Sequence, residues 1–138
     1  MERATLSVGQ MASMTKTVSE ADVALFADLT GDSSPLHLDE DCATRTRFKG
    51  KMAHGILSAG WISAVLGTKL PEPGSVYLSR SLNLLKPVRI GDTITATVGV
   101  SRISEKGRVV TLETGCTTQD GVEVLEGEAT LLIEEVRE

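Results

Sequence analysis

The chain has 138 residues, 41% hydrophobic and 24% charged, the make-up of one soluble globular domain long enough to bury its own core. A formal net charge of -5 argues against general binding to nucleic acid or to an anionic membrane surface, and no apolar run approaches the roughly 20 residues that span a bilayer. The first ten residues lack the apolar segment of a secretory signal, and Cys42 and Cys116 have no metal-ligand spacing, so the expectation is a cytoplasmic protein with reduced thiols and no metal.

Aromatic residues make up only 3%, which leaves the core to Val, Leu, Ile, Ala and Met. Met11 to Val18 alternates weakly and reads as an edge strand. Ser19 and Asp22 have the spacing of a capping box, and Val23, Phe26, Ala27 and Leu29 give the helix that follows an apolar stripe. Gly31 suits a left-handed helix end. Asp32 to Leu38 reads as an extended or turning loop, because Pro35 disfavours a helical Ser34. Asp39 can cap a short helix through Ala43, and Arg45 to Met52 is a polar connection.

Ala53 to Leu66 (AHGILSAGWISAVL) is the most apolar stretch, too long for a typical strand and the right length for a buried helix. Gly60 costs such a helix about 1 kcal/mol relative to Ala, which burial must offset. Pro71, Pro73 and Gly74 mark a loop. Ser75 to Leu85, Thr93 to Ile103 and Arg108 to Thr118 read as strands and Val122 to Val136 as a final strand or bent pair, with a bend at Pro87 to Asp92 and turns at Glu105-Lys106-Gly107 and Asp120-Gly121. The last three strands, joined by tight turns, must be antiparallel neighbours. An apolar helix needs cover on all sides, and a strongly curved sheet wrapped around it supplies that cover. Residues 1–138 therefore read as a single α+β domain of the hot-dog type.

Both histidines, His37 and His54, lie in the least regular part of the chain. Asp32 and His37, five residues apart with Pro35 between them, fit two readings. They are a helix-end carboxylate and a bonded loop imidazole, or they converge on one water for general acid–base chemistry. Gly55 opens the apolar helix, where backbone N–H groups have no internal partner. Gly55 fits close packing there, or close approach of a substrate oxyanion to those donors. His54 suits orientation of the loop or helix start. The Ser63 hydroxyl either positions Asp32 or bonds to the preceding turn of its own helix. Trp61 fills core or walls an acyl tunnel. Arg80, Lys86 and Arg89 are solvated cations or phosphate contacts.

At these residues the chain resembles a known family. Thr30-Gly31-Asp32-Ser33-Ser34-Pro35-Leu36-His37-Leu38-Asp39 is similar to the hydratase-2 motif of the MaoC-like, R-specific enoyl-CoA hydratases, and Ala53 to Leu57 (AHGIL) to their second motif. Lys86-Pro87-Val88 and Gly91-Asp92 fall where that family has its bend and turn, and the likeness runs from about Leu6 to about Ile133. It is closest to the short stand-alone hydratases that feed (R)-3-hydroxyacyl-CoA into polyhydroxyalkanoate synthesis. The resemblance implies interconversion of trans-2-enoyl-CoA and (R)-3-hydroxyacyl-CoA without a separate cofactor, coenzyme A being part of the substrate. It implies Asp32 and His37 as the catalytic pair, the Gly55 N–H as the donor to the thioester oxygen, and Ser34, His54 and Ser63 in the surrounding shell. It also implies a homodimer with a continuous sheet. Ser34 departs from the pattern, since many members carry Asn before the proline. The alternatives are a hot-dog acyl thioesterase, an acyl-carrier-protein dehydratase and a non-catalytic acyl-CoA-binding subunit.

Overall fold

The structure, a computed structural model, describes residues 6–46, 50–71 and 75–133. Part of the 45–52 connection, the Pro73-Gly74 turn and the extension of the last strand to Val136 lie outside the described residues. Five strands, β1 (Met11–Thr17), β2 (Ser75–Leu84), β3 (Thr93–Ile103), β4 (Val109–Thr117) and β5 (Glu123–Ile133), form one antiparallel sheet in the order β1-β3-β4-β5-β2. The last three strands are the meander expected from their turns, and the final segment is one strand rather than a bent pair.

Period-two alternation builds the inner face. Ile94, Ala96, Val98 and Val100 on β3, Val110, Leu112 and Cys116 on β4, and Leu125, Ala129 and Leu131 on β5 are all buried. Against them lies α4 (Gly55–Thr68), which buries Ser58, Ala59, Trp61, Ile62, Val65 and Leu66. Complete burial of Ile62, Val65 and Leu66 contributes about 1.5–3 kcal/mol each, which outweighs the cost of Gly60 and Gly67 in the helix. The helix is not covered on every side, however. Ile56, Gly60 and Gly67 share one exposed stripe, so the expected full enclosure fails within one chain.

α1 (Glu20–Thr30) carries the predicted capping box: the Asp22 N–H donates to Ser19 Oγ, and the Ser19 N–H to the Asp22 carboxylate at 3.0 Å. That backbone donor holds the Asp22 carboxyl below its ordinary range. α1 ends at Gly31, whose φ of 81° is the left-handed value a side chain would resist. α2 (Pro35–Leu38) is a single helical turn, within the segment that the sequence reads as an extended or turning loop. Ser34 is indeed non-helical, but Pro35 then sits in the first turn, where its fixed φ and missing N–H cost nothing. α3 (Glu40–Thr44) is capped by Asp39, whose carboxylate accepts from the Cys42 N–H.

Two glycines mark close approaches. A Cβ at Gly127 on β5 would collide with the Ser81 carbonyl of β2, so the sheet passes through this point only without a side chain. A Cβ at Gly55 would stand 2.8 Å from a Leu84 methyl, which couples the start of α4 to the far end of β2. Gly127→Ala should therefore lower stability by about 1–3 kcal/mol, the range for overpacking, read as a lower urea midpoint with an unchanged slope.

Candidate active site

Three local devices bring Asp32, His37 and His54 together. The Thr30 hydroxyl donates to the Phe26 carbonyl at 2.7 Å and accepts the Asp32 N–H at 3.2 Å, which turns the chain sharply after α1. The short α2 turn then presents His37, whose N–H donates to the Ser34 carbonyl. The segment before α4 is fixed by the Ala53 N–H donating to the Val88 carbonyl at 2.8 Å and by a bridge between Met52 and Arg89. Next to it, Lys51 pairs with Glu20 of α1 at 2.8 Å. Their hydrogen bond lowers the Glu20 carboxyl and raises the Lys51 ammonium from their ordinary ranges.

The hydrogen bonds decide the tautomers. A carbonyl can only accept, so each ring nitrogen facing one must carry the proton. His37 Nδ1 donates to the Met52 carbonyl at 2.6 Å, which leaves Nε2 of the neutral ring as a bare acceptor. His54 Nε2 donates to the Asp32 backbone carbonyl at 2.9 Å, which leaves its Nδ1 bare, buried and without a partner among the described residues. The His54 ring is stacked on His37 with centroids 3.9 Å apart and packs against Phe26 on its other contact at 4.7 Å. A carboxylate oxygen of Asp32 and one ring nitrogen from each histidine all lie within 4.8 Å of one another. His54 is almost wholly buried, while the Asp32 side chain is 54% exposed. The buried ring thus supports a carboxylate that solvent can reach.

Such a cluster also has the composition of a metal site. With His37 Nδ1 and His54 Nε2 bonded to carbonyls, the set offers the Asp32 carboxylate and His37 Nε2, with His54 Nδ1 buried. Gly55 opens α4 immediately beyond His54, and as the first helical residue it presents an N–H that the helix leaves unpaired. Asp32, His37, His54 and Gly55 therefore belong to one place in the fold. Ser34 sits at the turn between Asp32 and His37, and its side chain makes no capping bond.

Ser63 and Trp61 lie elsewhere. Ser63 is eight residues into α4, about 12 Å from Gly55 along the axis, too far to bond Asp32 in the same chain. Its hydroxyl pairs with Tyr77 Oη at 2.8 Å instead, which neither sequence reading anticipates. Trp61 joins the hydrophobic core, on the far side of α4 from Ser63. The three basic candidates separate as well: Lys86 and Arg89 are exposed, whereas Arg80 is partly buried against α4. Cys116 is a core residue whose thiol burial pushes up to about 11, against the opposing pull of the Arg80 charge. Thr30, Phe26 and the Met52 carbonyl escape the sequence reading. Thr30, two residues before Asp32, carries a turn signal that points to its role; a backbone carbonyl carries none.

The chain is similar to known proteins over most of its length. Residues 5–121 match the family described as "MaoC like domain". The chain is 54% identical over 125 residues to the (R)-specific enoyl-CoA hydratase of Rhodospirillum rubrum, covering 91% of this chain and 86% of that protein. It is 48% identical over 124 residues to the 3-hydroxybutyryl-CoA dehydratase of Methylorubrum extorquens, covering 90% and 78%. Its fold superposes on the (R)-hydratase from A. caviae involved in PHA biosynthesis with a TM-score of 0.90 and 42% identity, covering 93% of this chain and 97% of that one. The neighbours bear out the hot-dog α+β architecture.

His54→Phe would keep a ring between Phe26 and His37 while deleting the donor to the Asp32 carbonyl. It would also delete the orphaned Nδ1, so global stability should change little. The loop should open more readily: hydrogen exchange of the His37 amide is expected to quicken about tenfold, the equivalent of one hydrogen bond. Unchanged exchange would mean that His54 does not hold the loop.

Proposed function

The chain belongs to the family of MaoC-like domains, and from that premise we propose that it adds water to trans-2-enoyl-CoA thioesters to give (R)-3-hydroxyacyl-CoA, and removes it in reverse. The observation that carries the mechanism is the bond from His37 Nδ1 to the Met52 carbonyl, which presents Nε2 as an acceptor beside the Asp32 carboxylate. A water placed between two acceptors donates one proton to each, and its oxygen lone pair is then free for the β-carbon. As the C–O bond forms, one proton passes to the pair and the electrons of the double bond move toward the thioester carbonyl. The Gly55 N–H, at the positive end of α4, stabilises the enolate oxygen. The α-carbon then takes its proton from the same Asp32/His37 pair, which closes the cycle with no net proton change.

This reading needs no metal or separate cofactor. Lys86 and Arg89, exposed near the end of β2 that faces Gly55, suit the phosphates of coenzyme A. The hydratase reading is preferred to a thioesterase because the similar proteins are named as a hydratase and a dehydratase acting on CoA thioesters. A reduced, cytoplasmic setting suits two free cysteines, and no helix among the described residues is long and apolar enough to cross a membrane. We also propose a homodimer. β2 is an edge strand that exposes Val76, Tyr77, Leu78 and Leu84, and it borders the uncovered stripe of α4. A second copy of the same edge would extend the sheet and cover both.

Asp32→Asn keeps the shape of the side chain and removes the base. It should reduce kcat/KM for crotonyl-CoA by about 10²–10⁴-fold, followed by loss of enoyl-thioester absorbance, with chiral analysis expected to show the (R) product. A value within about threefold of wild type would remove Asp32 from the mechanism. Leu78→Glu, on the exposed β2 edge, should shift the protein to monomers in sedimentation velocity. A wild-type protein that sediments as a monomer at micromolar concentration would end the dimer proposal.

A further inference from the structure

β2 runs beside α4 and meets it at three points: Leu84 at Gly55, Arg80 at Ala59 and Tyr77 at Ser63. Tyr77 and Arg80 are three residues apart, an odd spacing that a regular strand would send to opposite faces. The register shift between Tyr77 and Ser79 inserts one extra residue on β2 and brings both side chains to the helix. There, Arg80 uses one nitrogen only. Nη1 donates to the Ala59 carbonyl and to Tyr77 Oη, each at 3.4 Å, while Nε and Nη2 are buried and have no partner among the described residues.

The two unused nitrogens are not an arbitrary pair. Nε–H and Nη2–H form the side-on edge of the guanidinium, the fork that binds both oxygens of a carboxylate at once. That edge is vacant as a unit, while the opposite end of the group is pinned to the helix and to Tyr77. Leaving two buried N–H donors unpaired is costly, so the arrangement calls for an acceptor of matching shape.

The fork also stands at a defined distance from the reaction. From Gly55 to Ala59 is four residues, about 6 Å of helix, the reach of about five or six carbons from a carbonyl held on the Gly55 N–H. We propose that Arg80 binds the terminal carboxylate of a dicarboxylic acyl thioester lying in the α4–β2 seam, so that acyl chains of about six carbons ending in a carboxylate are preferred to alkyl chains of equal length. This rests on the hydratase reading for the placement of the thioester at Gly55. Leu84 and Tyr77, 54% and 40% exposed, form the outer wall of the seam and must turn aside to admit the chain. Bound acceptor then replaces what is now a desolvated, empty edge. An alkyl terminus entering the same place leaves the fork unpaired.

The test uses two saturated thioesters that a hydratase does not turn over, adipyl-CoA and hexanoyl-CoA, titrated calorimetrically into the full chain. Wild type should bind adipyl-CoA at least tenfold more tightly, and Arg80→Gln should abolish or reverse that preference. If wild type binds hexanoyl-CoA equally well or better, the fork is filled by something else, such as a carboxylate of a second copy, and the proposal fails. It fails equally if Arg80→Gln keeps the preference for adipyl-CoA. The wild-type comparison needs no variant, so misfolding of Arg80→Gln cannot shield the idea. Crotonyl-CoA hydration by wild type is a separate readout. Turnover without the adipyl preference overturns the Arg80 site alone; the preference without turnover overturns the hydratase reading and leaves a carboxylate-binding seam.

Discussion

Everything in this molecule depends on the burial of one apolar helix against the inner face of one curved sheet. Ile62, Val65 and Leu66 of α4 are sealed against the alternating apolar residues of β3, β4 and β5. Helix propensity would not select a segment with Gly60 and Gly67 in its interior; burial of those side chains does. A helix held that firmly has a fixed N-terminus, and Asp32, His37 and His54 gather there. His54 and Gly55 are consecutive, so the ring that braces the Asp32–His37 loop and the amide that opens α4 are positioned by the same packing.

The arrangement of Asp32, His37 and His54 is set up by backbone carbonyls rather than by other charged groups. The Met52 carbonyl selects the His37 tautomer, and the Asp32 carbonyl selects that of His54. Both acceptors belong to segments that sheet or helix ends hold in place: Met52 bridges to Arg89, and Asp32 follows the glycine cap of α1. Fixing a tautomer in this way leaves Asp32 and His37 Nε2 as two acceptors and no donor, which suits the capture of water. The Ser34 side chain has no part in shaping this loop's helical cap. The turn is made by Thr30, Gly31 and Pro35, and the Ser34 side chain contributes no capping bond to it.

Much of this is legible in the sequence. Alternation in Thr93 to Ile103, the Ser19/Asp22 box and the Gly31 cap depend on residues near one another in the chain, and their physics is local. The convergence of Asp32 and His37 on one loop is legible for the same reason. What the sequence hides depends on contacts between distant segments. Pro35 favours an extended neighbour before it but also starts a helical turn well, and sequence alone does not choose between the two. Ser63 offers a hydroxyl to any partner within reach, and only the bulge in β2 makes that partner Tyr77. Arg80 reads as one of three solvated cations because its parity on the strand is hidden by the same bulge.

The open edge of β2, the uncovered stripe of α4 and the vacant fork of Arg80 all lie along one seam, and their coincidence has a single physical origin. The sheet covers α4 from β1 to β5, but β2 is the last strand and has no neighbour to continue the cover. The side of the helix next to β2 is therefore the only side where small residues and a polar triad of Ser63, Tyr77 and Arg80 take the place of branched apolar chains among the described residues. The side of α4 next to β2 is thereby polar, glycine-bearing and continuous with the Gly55 amide. The stability of the domain comes from the sealed sides, so this one can vary without endangering the core.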